Sequence, residues 1–538
     1  MRKQTKLVAV LSAAALLAMG ASMTSFAAGW EKDDAGVWHY YDKDDEMVAG
    51  EWRKDGAKWF YLDDDGDMLY DSWVDDDYYV GSDGAMLINQ WIKTTADEDV
   101  QDPDDDGDAW YYFGSKGKKV TSDSKKINGK TYYFDSDGKM EDGWYEDENG
   151  YVYYLGGEDE GWRTDNQWLW LLKPDEDDEI GGCTDDDGDP CDEEGWYFFG
   201  TNGRMYRDAK KKKVNGKYYY FNEHGQMLYE WINNAKVSVG SGANLNAALD
   251  GNNAGASPSS MMYLNEVEDG SRADGWYEID GSQDTNTDND TDWYFFDKGE
   301  AKKAGAKDFF GYDGEGVPVY RAKFKIKASG NKYFCFDEYG RMQTGLQYLE
   351  DDKSFYYFDD NGYMKTGKVS NVEDDDDTFT FYFSTNNGGN GRGWTGDKSG
   401  YLYWNGKRLE ADDEFRLYAY DDKRYLVNTS GKIQKSESKK YDIEGNAELY
   451  VDFDGDQVIG LYKDKDHKEL YNDGLGIVTR PVITLYDYPF SAGIDGEVLD
   501  RSRSSNETEV EIVVGDVTTA EVSGTDAPKS ANEVNLSK

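Results

Sequence analysis

The sequence predicts an all-β fold, a solenoid of tandem β-hairpin repeats of about twenty residues each, and three observations carry that expectation. A single hairpin-like unit recurs along the chain, and Lys126–Met140 (KINGKTYYFDSDGKM) is its cleanest copy. There Thr131–Phe134 alternates faces as a strand does, and Asp135–Gly138 supplies turn residues with a glycine able to take φ > 0. Methionine keeps the same beat. Outside the first 27 residues there are ten, and eight of them occupy one slot just after a turn: Met47, Met68, Met86, Met140, Met205, Met227, Met342 and Met364. Neighbouring copies lie about twenty residues apart, 21 from Met47 to Met68 and 22 from Met342 to Met364. Finally, only 38% of residues are hydrophobic yet 15% are aromatic, which suits thin hairpins whose few buried positions are filled by large rings.

Met1–Ala27 reads as a secretory signal peptide, with basic Arg2, Lys3 and Lys6, the apolar run Leu7–Met19 and the small-residue end Ser25-Phe26-Ala27. That run is too short for a membrane anchor, and no later stretch could span a bilayer, so an exported chain without a transmembrane anchor is expected. Residues 28–155 form the N-terminal hairpin repeats, beginning with Trp30, Trp52, Trp73 and Trp91, each followed by an aromatic strand. The acidic stretch Asp97–Asp108 delays the fourth of these strands, Trp110–Phe113. Residues 156–195 read as an irregular acidic insertion, although Asn166–Lys173 (NQWLWLLK) is strongly apolar. Repeats resume over 196–232, a Gly/Ala/Ser/Asn-rich insertion fills 233–275, and repeats return over 276–455, eroding towards their end. Residues 456–538 form a C-terminal segment with strands at Val482–Tyr486 and Val510–Val514 and a polar, disordered tail.

The formal net charge of −51 leaves no basic stripe to meet phosphates, which excludes nucleic acid and favours cationic ligands, divalent metals or simple solubility. Three cysteines are few for an exported chain, so disulfides do not build the fold. Cys183 and Cys191 bracket TDDDGDP and could close one small loop, whereas Cys335 lies in a strand and reads as a buried free thiol. The three histidines, His39, His224 and His467, are far apart in the repeat order, and no nucleophile or metalloprotease motif is present. No enzyme, no catalytic residue and no organic cofactor is therefore expected. Asp102, Asp104, Asp106 and Asp108 have the spacing of the first half of an EF-hand loop, but the twelfth position is Phe113 where a bidentate Glu is needed. That leaves at most a weak Ca²⁺ site.

Strand alternation places Trp59 and Tyr61 on one face, Phe60 and Leu62 on the other. One face can fill the stack while rings and a methionine form an open-topped box where hairpins meet. Such a box suits a quaternary ammonium, at about 0.5–2 kcal/mol per cation–π contact, and equally suits a sugar ring. The Gly-Trp, aromatic strand, Asp-Gly-x-Met pattern resembles the cell-wall-binding (choline-binding) repeats of secreted Gram-positive proteins. Copies such as KINGKTYYFDSDGKM and KVNGKYYYFNEHGQM are equally similar to glucan-binding repeats and to the carbohydrate-binding repeats of clostridial toxins. The resemblance covers roughly 29–455, discontinuously. It implies boxes made of the Gly-Trp tryptophan, the first aromatic of the next strand and a tyrosine of the following repeat. These would be Trp30, Trp38 and Tyr61; Trp52, Trp59 and Tyr79; and Trp91, Trp110 and Tyr133. Trp73 lacks its partner because Asp77 sits in the aromatic slot, and Gly345-Leu346 replaces Gly-Trp further on.

The expected function is therefore a secreted, non-enzymatic protein that associates non-covalently with a cell-wall polymer or glycan, either choline-substituted teichoic acid or a glucan-like chain. No sortase motif, terminal apolar helix or lipobox is present, in keeping with non-covalent attachment. The rival expectation is a structural or adhesive surface protein whose aromatics are all core and whose acidic loops hold Ca²⁺. The choice among ligands, and the oligomeric state, stay open at this level.

Overall fold

The computed structural model describes residues 29–95, 108–174, 180, 191–233, 261–280, 291–312, 318–374, 377–386, 390–420, 423–443, 448–471, 474–485, 488–491, 508–513 and 521–522. The leader, Asp102, Asp104, Asp106, Cys183, most of the 233–275 insertion and the polar tail lie outside them. The described residues are strands and turns with one short 3₁₀ turn at Ala306–Asp308, and they form a tandem β-hairpin solenoid. Two compact units divide the chain: Met1–Lys213, Tyr219–Leu228 and Val237–Asn244 make one, and Val214–Tyr218, Tyr229–Lys236 and Leu245–Lys538 the other.

The first unit contains seven complete hairpins, numbered here in chain order. Hairpin 1 pairs Trp30–Lys32 with Trp38–Tyr40, hairpin 2 pairs Glu51–Asp55 with Lys58–Leu62, and hairpin 3 pairs Ser72–Val74 with Tyr78–Val80. Hairpin 4 pairs Gln90–Thr94 with Ala109–Phe113, and hairpin 5 pairs Asp123–Ile127 with Lys130–Phe134. Hairpin 6 pairs Trp144–Glu146 with Val152–Tyr154, and hairpin 7 pairs Gln167–Leu172 with Glu194–Phe199. The last of these revises the reading of 156–195 as irregular: its apolar run is a strand, whose partner lies beyond the acidic stretch. Hairpin 8 joins Ala209–Val214 to Lys217–Phe221.

Each of these is a separate two-stranded sheet, which is marginal alone in water, so the stack must supply the stability. Two devices build it, and both use the methionine slot. The slot residue donates its backbone N–H to the preceding hairpin: Met68 to the Trp38 carbonyl at 2.9 Å, Met86 to Trp59 at 2.8 Å, Met140 to Trp110 at 2.8 Å, Met227 to Trp196 at 2.8 Å. Its side chain then covers the turn glycine of the next repeat. Gly225 has φ +91°, and a Cβ there would stand 2.5 Å from Met205 Sδ. Glycine and methionine therefore recur together because each needs the other, in addition to the turn's positive φ. Where an aspartate opens the turn, it is also engaged. Asp63 Oδ1 accepts the backbone N–H groups of Asp65 (3.0 Å) and Asp67 (2.8 Å), and Asp135 and Asp359 repeat the arrangement. Part of the acidity is thus turn chemistry.

The second unit continues with hairpin 9 (Trp231–Asn233 with Met261–Tyr263), hairpin 10 (Gly275–Asp280 with Thr291–Asp297), hairpin 11 (Ala322–Ile326 with Lys332–Phe336) and hairpin 12 (Gly345–Leu349 with Ser354–Phe358). Beyond them the sheets widen. Gly367–Asp374 and Asp377–Phe383 join Lys407–Arg408, Tyr401–Trp404 and Gly396–Lys398 in five strands. Phe415–Tyr420 and Lys423–Asn428 join Gly474–Arg480, Thr508–Val513 and Glu521–Val522, with a parallel bridge from Tyr418 to Val478. A core of Phe381, Phe383, Leu402, Trp404, Tyr418 and Val478 explains why the repeat pattern fades here: long-range packing replaces the hairpin-on-hairpin seam.

Cys191 is disulfide-bonded, and Cys335 is a free, fully buried thiol in hairpin 11. Burial pushes the Cys335 thiol up from 9.0 to about 12. Between those values the unfolded chain loses this proton while the folded chain keeps it, so raising pH through that window subtracts stability. Cys335→Ala is expected to flatten that part of the stability–pH curve, measured by urea denaturation at pH 8 to 11. An unchanged slope would count against a thiol held this way.

Candidate functional site: the joints between hairpins

Strand register sorts the rings of every hairpin into two faces. The lead tryptophan of the first strand pairs directly with one ring of the second: Trp30 with Tyr40, Trp52 with Tyr61, Trp91 with Tyr112, Trp168 with Phe198, Trp276 with Phe295. Two residues before that cross-strand ring, on the same face, stands an outer ring: Trp38, Trp59, Trp110, Trp196 or Trp293. The residue between them, the inner ring, points the other way, back towards the preceding hairpin.

The face of one hairpin therefore closes on the inner ring of the next. Trp30 lies 5.4 Å from Phe60, Trp52 5.6 Å from Tyr78, Trp91 4.9 Å from Tyr132, Trp168 4.8 Å from Tyr219 and Trp276 4.7 Å from Phe334, centroid to centroid. The cross-strand contacts are as regular, 5.3 Å for Trp30–Tyr40 and 5.0 Å for Trp168–Phe198. Each of these five joints is thus lined by a lead tryptophan, a cross-strand ring, an outer ring, the next inner ring and the slot residue. Met68, Met140 and Met342 each pack in the cluster of their own joint.

This geometry places the residues singled out in the sequence as follows. Trp30 and Trp38 share a face of hairpin 1, Trp52 and Trp59 share one of hairpin 2, and Trp91 and Trp110 come to 6.4 Å in hairpin 4. The three tyrosines fall one joint further on. Tyr61 is against Trp52 at 5.2 Å, and burial first, then Asp75, Asp64 and Asp63, raise its hydroxyl pKa. Tyr79 is against Trp73 at 5.4 Å, and Tyr133 sits between Tyr145 (4.7 Å) and Tyr153 (5.5 Å). The third wall of each box is instead Phe60, Tyr78 or Tyr132, one residue earlier. The shift is one of parity: in a strand, a single step changes the face.

The joint between hairpins 7 and 8 is the richest and was not singled out in the sequence. Trp168, Trp170, Trp196, Phe198, Tyr219 and Phe221 surround it: Trp170 stands 5.5 Å from Trp196 and donates its indole N–H to Glu194. The available signal was Gln167-Trp168, since Gln90-Trp91 opens hairpin 4 in the same way. Outer rings are the accessible ones: Trp59 is 37% exposed and Trp293 42%, whereas Trp30 and Trp231 are buried. Carboxylates flank them. Trp110 Nε1 donates to Asp159 at 3.0 Å, and that bond together with Lys93 holds Asp159 below the usual carboxylate range. Rings, a thioether and nearby carboxylates form a seat for a soft organic cation.

Trp73, without an outer ring, has Lys119 in its joint. Of the acidic quartet, Asp108 is described and exposed, while Asp102, Asp104 and Asp106 lie outside the described residues. Among the described residues no group of three or more His, Cys, Asp or Glu could hold a metal ion, and no helix is long and apolar enough to cross a membrane.

Family models of choline-binding and cell-wall-binding repeats match several stretches of the chain. Residues 120–168 match one choline-binding repeat family, 46–85 and 68–95 match a second, and 105–119, 191–205, 212–227 and 347–364 match a cell wall binding repeat family. Among solved structures, the modular autolysin LytC from Streptococcus pneumoniae is 20% identical with a TM-score of 0.33, covering 63% of this chain and 52% of that one. The chain thus spans about half the length of that protein. The choline-binding domain of CbpL from the same organism is 26% identical (TM-score 0.24; 38% of this chain, 98% of that one). Choline binding protein F, also from Streptococcus pneumoniae, is 20% identical (TM-score 0.23; 72% and 100%). No curated protein matches the sequence.

Proposed function

We propose that this chain, a cell-wall-binding repeat protein of the choline-binding type, seats quaternary-ammonium groups of an envelope polymer in the joints between its hairpins. On this reading it is an exported binding protein rather than an enzyme, held non-covalently at the cell surface. The observation that carries it is the recurring cluster of lead tryptophan, outer ring, next inner ring and slot methionine at hairpins 1–2, 2–3, 4–5, 7–8 and 10–11.

Burial of the lead tryptophans favours the purely structural reading at Trp30 and Trp231, so the outer rings decide between the two. The protein is expected to be retained on a quaternary-amine resin and released by free choline at constant ionic strength. Trp59→Ala is expected to weaken that retention while changing the melting temperature little, because Trp59 is already partly in water. Release by salt alone, or full retention by the Trp59 variant, would favour the structural reading.

A further inference from the structure

Of the joints that depart from the common pattern, four share a feature. Between hairpins 3 and 4 the outer position is Asp77 and the slot residue is Lys119, whose side chain is only 6% exposed. Its ammonium lies 5.3 Å from the Trp73 ring and 2.8 Å from Asp76 Oδ1. Between hairpins 5 and 6 the lead position is Ser124, opposite Tyr133. Arg163 fills the slot, donating to the Tyr133 hydroxyl at 3.3 Å and to Asp165 at 2.7 Å, with its guanidinium 5.8 Å from the Tyr153 ring. Between hairpins 8 and 9 the slot holds Arg272, bonded through its N–H to the Tyr218 carbonyl, with its guanidinium 4.6 Å from the Tyr218 ring. Between hairpins 11 and 12 the lead position itself is Lys323, opposite Cys335. Its ammonium lies 4.2 Å from the Tyr356 ring, bonds the Tyr356 hydroxyl at 2.9 Å and pairs with Asp352.

The three slot cations also show how the exchange is accommodated. Their aliphatic stems lie where the thioether does, over the next turn's glycine. A Cβ at Gly203 would stand 2.3 Å from Arg163 Cδ, one at Gly299 2.7 Å from Arg272 Cγ, and one at Gly138 3.2 Å from Lys119 Cδ. The stem fills the seam, and the charged tip runs on to the ring.

We propose that Lys119, Arg163, Arg272 and Lys323 are built-in occupants: cations the chain supplies to joints that take no ligand, while external ammonium groups are confined to the joints with a slot methionine and a lead tryptophan. A tethered cation needs no binding partner, so these joints stay closed whether or not ligand is present. They act as permanent fasteners between ligand-gated ones. A choline-substituted polymer is then bound at intervals along the stack rather than at every repeat. The inference rests on the proposed function for its ligand, but not for the occupancy itself.

The test uses the full chain and free choline, with the number of bound equivalents counted by calorimetric titration. Lys119→Met installs the residue found in this slot in eight other repeats and leaves Trp73, Tyr79 and Tyr111 as walls, with Asp76 unpaired. It is expected to bind one more equivalent than the wild type. Met342→Lys, at the joint of hairpins 10 and 11, is expected to bind one fewer. An unchanged count in both variants overturns the inference. Should the wild type bind no choline, the functional reading fails, and the occupancy is judged by thermal shift with tetramethylammonium. A larger rise in Lys119→Met than in the wild type supports it, and an equal rise overturns it.

Discussion

Trp168→Ala is expected to produce the largest combined loss of stability and binding of any aromatic substitution in the first unit. Trp168 packs on Phe198 at 5.0 Å, on Tyr219 at 4.8 Å and in a stacked arrangement on Phe221 at 5.7 Å. It therefore ties its own two strands together and couples them to the next hairpin. Truncating a packed tryptophan costs about 3 kcal/mol or more, and each lost ring pair adds a further fraction. The surroundings cannot collapse into the gap, because Trp196 and Tyr219 are fixed by their own strands. The first unit's denaturation midpoint is expected to fall accordingly, and choline titration to lose one equivalent. Trp168→Phe, which keeps a ring, is expected to recover most of the stability but little of the ligand seat. If Trp168→Ala unfolds at the wild-type midpoint, the joint is not what holds hairpin 7 to its successor.

Gly393→Ala is expected to be still more damaging, and for a backbone reason. Gly393 takes the slot position for the strand ending at Phe383: it bridges to Phe383 and donates its N–H to the Phe355 carbonyl at 2.8 Å. Here, however, the space above the slot is filled by main chain. A Cβ would lie 2.3 Å from the Asn405 carbonyl oxygen and 2.5 Å from its carbon. A methionine tip can swing aside, but the Asn405-Gly406 turn is held between the paired strands Tyr401–Trp404 and Lys407–Arg408. That turn would have to move, at a cost on the order of 4 kcal/mol or more. The measurement is the unfolding transition of the second unit followed by Trp404 fluorescence, since that ring is fully buried in the adjoining core. A variant that melts with the wild type would show that the turn can yield.

The beat of the fold was legible in the sequence. Aromatic strand, Asp-Gly turn and methionine recur because they form one mechanical unit, and local chemistry is enough to reveal it. Asp63 and Asp135 bond their own turns, and a turn is encoded within five residues. The tryptophans that lead hairpins 1, 2 and 4 were legible for the same reason.

What needed the tertiary structure was every relation between hairpins. Whether Tyr61 or Phe60 faces Trp30 depends on which side of one hairpin meets which side of the next, and a single residue of parity reverses the answer. The pairing of Gln167–Leu172 with Glu194–Phe199 crosses an acidic stretch with no periodicity to announce it. Lys119 stands where other repeats have methionine, and only the stack shows its stem on Gly138 and its charge against Trp73. The physical reason is common to all three. Short-range hydrogen bonds and turn dihedrals are properties of the chain's immediate neighbours, whereas the contents of a joint are set by two surfaces that meet only after both hairpins have formed.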